Sequence, residues 1–505
     1  MRIKDLIEGM TIRDFQGDPD TEISDIAYDS RLVKPGGLFV AIRGSRQNGH
    51  AYVGDAVSRG AVAVVGEHPV SGVPAGRSDR LAVIRVPDAR RALSRLAARF
   101  FDRPFKNLRM IGITGTNGKT TSAYLLESIL TAAGRRPGVI GTINYRFAGQ
   151  ILEAPVTTPE SLDLMRILRR MADRGTTDVI MEVSSHSLDQ GRVRDCPFEA
   201  AVFTNLSRDH LDYHQTMEAY FEAKARLFSP LPEERTAGPE KAVINRDDPM
   251  GQELIRRARG KVVTYGMSEG GDIRAEEVHV SLSGIRARLI TPAGDRDIRS
   301  SLIGAHDIYN MMAAAGAAWA LHIDLDAIKS GIGRLKGVPG RLEMVKNRRG
   351  LAVVVDYAHT PDALLKALKA VRLLTRGRVI TVFGCGGDRD RGKRREMGCI
   401  AGMWSDRVLI TSDNPRTEDP AAIASEIEAG VLESGIAHCV LDLDRKSAIR
   451  QAIAMAQKGD LVLIAGKGHE TYQIIGSEKR PFDDRVVAAK AAGNRSRGLE
   501  ISLIH

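Results

Sequence analysis

Cysteines, aromatic residues and long apolar runs are all scarce in this chain. Its 505 residues include 4 cysteines, and aromatic residues make up 5% of the total. The cysteines at positions 196, 385, 399 and 439 lack the paired spacing of metal ligands, which favours isolated reduced thiols. No stretch approaches the roughly 20 apolar residues of a membrane span, and no apolar core follows residues 1–5 as in a secretion signal. We therefore expect a cytoplasmic protein without a membrane span.

The positive charge of the chain is spread over its length. The formal net charge is +10, and the densest basic cluster lies at 389–395, in a glycine-rich stretch without interleaved aromatic residues. Nucleic-acid binding is typical of a basic face combined with stacking side chains. An anionic small substrate explains the charge at least as well, so no nucleic-acid partner is expected.

The segment GITGTNGKTT at 112–121 is the most informative one present. It follows a short apolar run and precedes a helix-like run. A glycine-rich turn of this kind aims backbone N–H groups at an anion, and the helix dipole favours negative charge there. Lys119 would neutralise phosphate charge, and the Thr120 hydroxyl would bind Mg²⁺. Ile113 stands where the strict Walker pattern has its first glycine. ATP or GTP binding is therefore predicted, with a structural glycine turn as the alternative.

Apolar, β-branched runs separated by helix-like sequence indicate buried parallel strands. They lie at 108–120, 178–183, 200–205, 352–356, 378–384, 407–411 and 461–466. Each run ends in a polar loop marked by glycine or proline, and ligands of open α/β sheets bind at those carboxyl ends. The chemistry is therefore expected where two such sheets face one another.

The length exceeds what one hydrophobic core supports and indicates about three domains. We predict an α/β protein with a small N-terminal α/β domain at 1–103, a central P-loop-type ATPase domain at 104–337 and a C-terminal Rossmann-like domain at 338–505. The first hundred residues differ from the rest in their predicted elements, which are shorter strand candidates and an amphipathic helix at 89–101.

Two polar loops follow the second and third central strands. Glu182 ends one strand and would hold Mg²⁺ across from Thr120; a solvated strand-end carboxylate is the alternative. His210, in the loop at 204–214, is a candidate metal or phosphate ligand, although an isolated loop histidine is more often neither. The two loops indicate a ligand site much more specifically when they are considered together with the phosphate loop.

In combination, these segments resemble the Mur ligase family, the ATP-dependent amide-bond ligases of peptidoglycan synthesis. The matching pieces are TGTNGKTT at 114–121, EVSSH at 182–186, NLSRDHLDYH at 205–214 and GRLE at 340–343, in family order. Further segments resemble the members that add meso-diaminopimelate to UDP-N-acetylmuramoyl-L-alanyl-D-glutamate. They are TTP at 157–159, DYAHTP at 356–361, DNPR at 413–416 and GKGHE at 466–470.

The resemblance implies a reaction and three small-molecule substrates. ATP would phosphorylate the terminal carboxylate of the nucleotide-linked dipeptide, and the amine of diaminopimelate would attack the acyl phosphate. Because a carboxylate is a poor electrophile, the phosphoryl group is needed to provide a leaving group. The protein must position the three ligands and screen converging negative charge. The first domain would bind the UDP-sugar, the central one ATP and the last one the amino acid, in a monomer.

The resemblance also assigns the residues of the nucleotide site. The phosphate-binding residues would be Gly115, Thr116, Asn117, Gly118, Lys119, Thr120 and Thr121. Thr120 and Glu182 would hold one Mg²⁺, with His210 near a second. Arg341 would contact nucleotide phosphate, Asp356 the ribose and Asn310 the adenine, although Asp307 replaces the family's usual asparagine.

Lys224 lies on a helix-like segment at 222–228. On sequence alone, its stem would cover apolar neighbours with the charge in water. Its position matches the family's carbamylated lysine, and a carbamate derived from CO₂ would be an anion able to bind the second Mg²⁺. Carbamylation needs a lysine that is neutral part of the time, which burial promotes. With Lys119, His210 and Glu182, it completes the implied catalytic set.

The remaining implied residues bind the other two substrates. Around the UDP-sugar peptide they are Tyr28, Ser30, Ser45, Arg46, Gln47, Thr157, Thr158, Ser184, Gln190 and Arg192. Around diaminopimelate they are Arg389, Asp413, Asn414, Pro415, Arg416, Gly466 and Glu470. Arg416 would bind the distal carboxylate through two parallel hydrogen bonds, a group that lysine lacks, and Arg389 would bind the other carboxylate. Asp413, Asn414, Gly466 and Glu470 would receive an ammonium group of the substrate. Arg192 as a surface arginine and the 413–416 segment as a proline turn are the alternatives.

Three other functions remain open. A lysine-adding Mur ligase would lack the Arg416 interaction, and a ligase similar to folylpolyglutamate synthetase would share the phosphate loop but not the first hundred residues. A P-loop switch or motor would hydrolyse ATP without ligase substrates and leaves Arg389, Arg416 and Glu470 unexplained.

Overall fold

The computed structural model describes residues 1–44, 47–70, 80–229, 238–435 and 438–493. They form three α/β domains, which confirms the predicted fold class. No helix in the described ranges is long and apolar enough to cross a membrane.

The first domain is built on a five-stranded sheet. Its strands are β1 (Asp14–Gln16), β2 (Ile26–Ala27), β3 (Gly37–Val40), β4 (Ala61–Gly66) and β5 (Ala82–Arg85), and its helices are α1 (Ile3–Ile7), α2 (Val53–Ser58) and α3 (Ala89–Phe100). The strand order is β1-β5-β4-β3-β2, with β1 antiparallel to β5 and the others parallel. Asp88 caps α3 by accepting a hydrogen bond from Arg91 N, and the helix buries Leu93 and Leu96.

The central domain holds an eight-stranded sheet. Its strands are β6 (Arg109–Thr114), β7 (Pro137–Ile140), β8 (Asn144–Phe147), β9 (Gln150–Glu153), β10 (Asp178–Glu182), β11 (Phe198–Phe203), β12 (Lys241–Asn245) and β13 (Lys261–Tyr265). Its helices up to β13 are α4 (Lys119–Ala132), α5 (Ser161–Asp173), α6 (Ser185–Asp189), α7 (Leu211–His214), α8 (Met217–Ala225) and α9 (Pro249–Arg257). The order is β13-β12-β11-β6-β10-β7-β8-β9, so the phosphate-loop strand β6 lies between β11 and β10.

A three-stranded antiparallel sheet and two helices complete this domain. The strands are β14 (Arg274–Ser281), β15 (Gly284–Thr291) and β16 (Gly294–Ser300), and the helices are α10 (Asp307–Ala320) and α11 (Leu325–Arg334). Alanines let α10 pack closely: Ala313, Ala314 and Ala317 are buried in the core it shares with α4 and the eight-stranded sheet.

The C-terminal domain has a six-stranded sheet and a small hairpin. Its strands are β17 (Glu343–Met344), β18 (Ala352–Asp356), β19 (Val379–Phe383), β20 (Arg407–Ile410), β21 (His438–Leu441), β22 (Leu461–Ala465), β23 (Tyr472–Ile475) and β24 (Glu478–Pro481). Its helices are α12 (Pro361–Leu374), α13 (Gly392–Trp404), α14 (Pro420–Glu433), α15 (Arg445–Met455) and α16 (Asp484–Ala491). The sheet order is β17-β18-β22-β19-β20-β21, and hydrophobic cores cover both faces.

The central and C-terminal domains face each other across a cleft of about 750 Å³. Residues from the carboxyl ends of β6, β10, β11 and β18 line it, as expected for ligand sites of open α/β sheets. The predicted boundaries after residues 103 and 337 fall between α3 and β6 and between α11 and β17, and they stay predictions.

Candidate active site

The phosphate loop joins β6 to α4 through two glycines with positive φ. The angle is 141° at Gly115 and 87° at Gly118. A Cβ atom would lie 1.9 Å from Thr204 Oγ1 at the first position and 2.3 Å from Asn310 Oδ1 at the second. Both positions therefore need glycine, and the turn delivers the chain to the N-terminus of α4, where the helix dipole favours an anion.

The segment after β11 supports this loop. The carbonyl oxygen of Asn205 accepts a hydrogen bond from Thr116 N at 2.8 Å, and its Oδ1 accepts one from Asn117 N at 3.0 Å. Thr204 Oγ1 donates to the carbonyl oxygen of Asn117 at 2.6 Å. The two neighbouring strand ends thus form one rigid unit.

Two lysine side chains converge on one carbonyl oxygen of the loop. Lys119 Nζ donates to the oxygens of Gly115 and Thr116, each at 2.8 Å, and Lys224 Nζ donates to that of Gly115 at 2.9 Å. Lys224 is 1% exposed. Burial, followed by the charge of Lys119, holds the pKa of Lys224 well below its ordinary value, and burial also lowers the pKa of Lys119. The site therefore favours a neutral Lys224.

Glu182 ends β10 beside the phosphate loop. Its Oε2 accepts hydrogen bonds from Thr120 Oγ1 at 2.8 Å and from Thr142 Oγ1 at 2.9 Å, and its Oε1 accepts one from Thr142 N at 3.0 Å. The structure thus places the hydroxyl and carboxylate predicted to bind Mg²⁺ in direct contact. Such hard oxygen ligands are the kind that Mg²⁺ prefers.

His210 precedes α7 with a φ of 53°. Its ring centroid lies 4.9 Å from that of His186 and 6.0 Å from that of Tyr220. Burial lowers the pKa of His210 to about 4, so the neutral imidazole predominates at pH 7. Among the described residues, no three His, Cys, Asp or Glu side chains converge on a metal position. A second cation near His210 would therefore need ligands other than a cluster of such side chains.

Arg341 reaches the phosphate loop from the segment before β17. Its Nη2 donates to Thr120 Oγ1 at 3.5 Å, and its guanidinium carbon lies 4.8 Å from the ring centroid of Tyr357. Its Nε is buried and has no hydrogen-bond partner within the described ranges. An unpaired buried donor of this kind fits an anionic ligand.

Asp356 ends β18 and is buried. Its two oxygens accept hydrogen bonds from Leu342 N at 2.7 Å and from Ala358 N at 2.8 Å. Burial raises the pKa of Asp356, while the neighbouring Arg341 opposes that rise. The carboxylate fixes the turn next to Arg341, and a ribose contact would use its remaining lone pairs.

Asn310 and Thr121 line the cleft. Asn310 Nδ2 donates to Asp307 Oδ1 at 2.9 Å, and its Oδ1 lies against Gly118. Asp307 Oδ2 also accepts a hydrogen bond from Gly304 N at 3.1 Å, so a carboxylate suits this turn before α10. Asn310 therefore lies beside the phosphate loop, and its adenine contact stays a prediction.

Two of the residues predicted near uridine diphosphate, Ser45 and Arg46, lie outside the described residues. Tyr28 OH donates to Asp163 Oδ2 at 2.5 Å and thereby links the first domain to α5. Ser30 is buried, and its hydrogen bond to the Asp55 carboxylate lowers the pKa of Asp55. Gln47 is exposed.

The residues predicted along the sugar-peptide path lie together after β9 and β10. Arg192 Nη1 donates to the carbonyl oxygen of Thr158 at 2.9 Å, and its Nε donates to Gln190 Oε1 at 3.0 Å. Thr158 Oγ1 accepts a hydrogen bond from Ser184 N at 3.1 Å. Thr157 and Ser184 line the cleft. These contacts hold the Arg192 guanidinium in place.

The residues predicted to bind diaminopimelate follow three neighbouring strands, β22, β19 and β20. Arg416 has a φ of 52°, and its Nη1 donates to the carbonyl oxygen of Gly387 at 2.6 Å. Arg389 is exposed and donates to the carbonyl oxygen of Asp388 at 3.1 Å. A Cβ atom on Gly386 would lie 3.0 Å from Arg416 Nη1 and 3.8 Å from Arg389 Cγ. Both arginines thus flank one glycine.

A buried lysine binds the acceptors beside these arginines. Lys467 Nζ donates to Asn414 Oδ1 at 3.0 Å and to Glu470 Oε2 at 2.9 Å, and it lies 3.9 Å from Asp413 Oδ1. At Gly466, a Cβ atom would lie 2.6 Å from Asp413 Oδ2. The groups predicted to receive a substrate ammonium are therefore already organised around an ammonium of the chain.

Sequence reasoning missed several residues of the site. They are Thr142, which binds Glu182; Tyr309, whose OH donates to Asp247 Oδ2 at 2.9 Å in the cleft; and Lys467. Lys467 stands inside the GKGHE segment, so a signal for it was present. Thr142 lies outside every matched segment, and its role depends on the pairing of β7 with β10.

Three family models match consecutive parts of the chain. They are the Mur ligase family catalytic domain at residues 22–101, the Mur ligase middle domain at 113–318, and the Mur ligase glutamate ligase domain at 340–468. Together they extend over all three domains of the fold.

Relatives match at nearly full length. A UDP-N-acetylmuramoyl-L-alanyl-D-glutamate–2,6-diaminopimelate ligase from Geobacter metallireducens is 49% identical over 506 aligned positions, covering 97% of this chain and 98% of that protein. A solved structure of an enzyme of the same name is 36% identical, with a TM-score of 0.69 and coverage of 97% and 98%. The folylpolyglutamate synthase of Mycobacterium tuberculosis, solved with ADP, shares the fold at 20% identity, a TM-score of 0.61 and coverage of 74% and 91%. This chain belongs to the Mur ligase family.

Proposed function

We propose that the protein joins the D-glutamate carboxylate of UDP-N-acetylmuramoyl-L-alanyl-D-glutamate to meso-2,6-diaminopimelate, with conversion of ATP to ADP and phosphate through an acyl phosphate. The observation that carries the proposal is the Arg416 guanidinium, fixed by the Gly387 carbonyl oxygen beside a polar cluster of Asn414, Glu470 and Lys467. The reaction would serve cytoplasmic peptidoglycan precursor synthesis, with the chain acting as a monomer.

The cleft supports binding of ATP at the phosphate loop. Lys119 and Arg341 bring two cationic groups to the start of α4, and the Arg341 Nε lacks a partner within the described residues. Transfer of a phosphoryl group depends mainly on positioning and charge stabilisation. Here the two cations would hold the phosphates while the D-glutamate carboxylate approaches.

Thr120 and Glu182 would hold a Mg²⁺ ion. Mg²⁺ keeps several waters and binds one or two carboxylates together with substrate phosphates, so this hydroxyl–carboxylate pair fits it. When bound, the ion would screen the negative charge that builds up between ATP and the substrate carboxylate.

Lys224 would carry a carbamate. Its neutral Nζ would attack the carbon of CO₂ and release one proton, which replaces a buried neutral amine by an anion. Burial and the low pKa of Lys224 support this, and both Lys224 and His210 lie against Tyr220, at 4.5 Å and 6.0 Å from its ring centroid. The resulting anion would supply the ligand that a second Mg²⁺ near His210 requires.

Acyl transfer then follows from the placement of the two domains. The substrate carboxylate oxygen bonds to the γ-phosphorus of ATP as ADP leaves, and the amine of diaminopimelate attacks the acyl carbon as phosphate leaves. The C-terminal domain would orient that amine, with Arg416 and Arg389 on the two carboxylates of the amino acid. Lysine lacks the distal carboxylate and would leave one guanidinium unpaired.

The alternative functions explain fewer of the residues and domains of this chain. A folylpolyglutamate synthetase-like activity would leave part of the chain without a role, since the ADP-bound structure covers 74% of this chain. A lysine-adding ligase leaves Arg416 without a ligand, and a switch or motor leaves the whole amino-acid site unexplained.

The test is phosphate release with ATP, Mg²⁺ and the UDP-linked dipeptide, in the presence of meso-diaminopimelate, L-lysine or no amine. We expect turnover with diaminopimelate alone. Turnover with lysine would retain the ligase and remove the proposed specificity, whereas turnover without any amine would contradict the ligase assignment.

A further inference from the structure

A carboxylate of the C-terminal domain contacts the phosphate loop of the central domain. Asp362, in the first turn of α12, accepts hydrogen bonds from Asn117 Nδ2 at 2.9 Å and from Ser207 Oγ at 2.7 Å. The two donors lie 245 and 155 residues away along the chain, in the loops that follow β6 and β11. One side chain therefore joins α12 to both loops that form the nucleotide site.

This position is unusual for an acidic residue, because a carboxylate repels the phosphates that the loop binds. Lys366, one turn further along α12, offsets the charge: its Nζ donates to the same Asp362 oxygen at 2.8 Å. A carboxylate in the first turn also interacts favourably with the helix dipole. That effect explains neither the direction of the side chain toward Asn117 nor the second donor, Ser207.

Asn117 is held in the phosphate loop by hydrogen bonds of both its backbone and its side chain. Its N–H donates to Asn205 Oδ1, and its carbonyl oxygen accepts hydrogen bonds from Thr204 Oγ1 and Asn205 Nδ2. Its side chain extends the same network to Asp362. A change in the position of α12 is therefore transmitted directly to the phosphate loop.

Two other polar contacts between the domains are longer or more exposed. Lys479 Nζ lies 3.4 Å from Glu153 Oε1, but the two side chains are 54% and 84% exposed. Exposed ion pairs of this kind contribute little. Arg341 Nη2 reaches Thr120 Oγ1 at 3.5 Å, the limit of a hydrogen bond. The Asp362 contact combines two short, charge-assisted hydrogen bonds, which makes it the stronger tie.

We propose that Asp362 is a positioning residue that locks the C-terminal domain onto the phosphate loop through Asn117 and Ser207. It sets the orientation in which the amino-acid site faces the nucleotide site. The inference rests on the proposed function for its kinetic consequence, and on geometry alone for its effect on domain orientation.

The test is a double-mutant cycle of Asp362→Asn and Ser207→Ala. Asp326→Asn is the matched control, because Asp326 is the second residue of α11 as Asp362 is of α12, and pairs with Arg296 within the central domain. We expect Asp362→Asn and Ser207→Ala each to lower kcat/KM for the amine about tenfold, the scale of one hydrogen bond to a charged group. The double variant should lose little more than either single variant, and Asp326→Asn should match the unsubstituted protein. Additive losses in the cycle, or equal behaviour of Asp362→Asn and Asp326→Asn, would overturn the proposal.

Small-angle scattering separates this proposal from the ligase assignment, because it needs no turnover. With a non-hydrolysable ATP analogue bound, Asp362→Asn should have a larger radius of gyration than the unsubstituted protein and the Asp326→Asn control. Equal radii would contradict the lock even if the protein is the proposed ligase. A larger radius without amine-dependent turnover in the unsubstituted protein would keep the lock and reject the ligase.

Discussion

The phosphate loop and the proposed amino-acid site of the C-terminal domain are built in different ways. The phosphate loop uses ten consecutive residues, and its shape depends on glycines that no other residue can replace. The amino-acid site gathers side chains from three strand ends, around Arg416, Asn414 and the buried Lys467. A site formed by one short segment can be predicted from that segment alone. A site assembled from distant segments can be predicted only when the order of the strands in the sheet is known.

The largest expected effect is on the local site. Gly115→Ala should abolish measurable ATP binding, because the new Cβ atom would lie 1.9 Å from Thr204 Oγ1 at a φ of 141°. Gly134→Ala is the control: it has a φ of 76° but nothing within 4 Å, so it should cost about 1 kcal/mol of stability and leave ATP binding intact. Calorimetric titration with ATP and thermal melting measure both. Equal ATP affinities for the two variants would show that the loop does not depend on its close contacts.

The next effect concerns the assembled site. Arg416→Lys should lower kcat/KM for diaminopimelate about a hundredfold, because a lysine cannot form two parallel hydrogen bonds with a carboxylate. The affinity for ATP should not change, since the phosphate loop is formed by other segments. Arg480→Lys, on the exposed hairpin, is the control and should be neutral. Unchanged discrimination between diaminopimelate and lysine in Arg416→Lys would remove Arg416 from the specificity site.

Lys224 combines both kinds of construction, because it contacts the phosphate loop at Gly115 but lies on α8, outside the loop segment. Its pKa is lowered by burial, so the amine is neutral above that pKa and cationic below it. We expect a carbamate signal in carbon NMR with labelled bicarbonate at pH 7 to 8. As the pH falls below the lowered pKa, the neutral fraction drops about tenfold per pH unit, and the signal should disappear. Lys224→Arg should show no signal at any pH, and a persistent signal in that variant would assign the carbamate elsewhere.

The smallest effect is expected at the exposed contact between the domains. Lys479→Ala removes the ion pair with Glu153, which should change kcat/KM for the amine less than twofold because water screens both groups. Steady-state kinetics at low and high salt measure this. A loss comparable with that of Arg416→Lys would mean that the hairpin β23–β24, rather than the strand ends, controls the amino-acid site.

The fold class and the phosphate loop were predictable because their signals are local. Buried parallel strands read as apolar β-branched runs, and all seven runs contain strands of the two large sheets. The short sheet β14–β16 was not predicted, since its alternating strands carry many charged residues, as in the pattern of β16.

The assembled contacts were predictable only in part. The resemblance named Arg416 and Glu470, but the ammonium that organises Glu470 belongs to Lys467, whose burial no sequence pattern indicated. Asp362 stands directly after a matched segment, and its contact with Asn117 depends on how two domains face each other. Distances between domains follow from packing, which no local sequence pattern reveals.

The most direct measurement is a competition reaction analysed by mass spectrometry. The protein is supplied with ATP, Mg²⁺, UDP-N-acetylmuramoyl-L-alanyl-D-glutamate and equal amounts of meso-diaminopimelate and L-lysine. The account predicts one diaminopimelate-containing tripeptide product, formed in equal amount to the phosphate released. A lysine-containing product would contradict the assignment of the arginine site, and phosphate without any tripeptide would contradict the ligase itself.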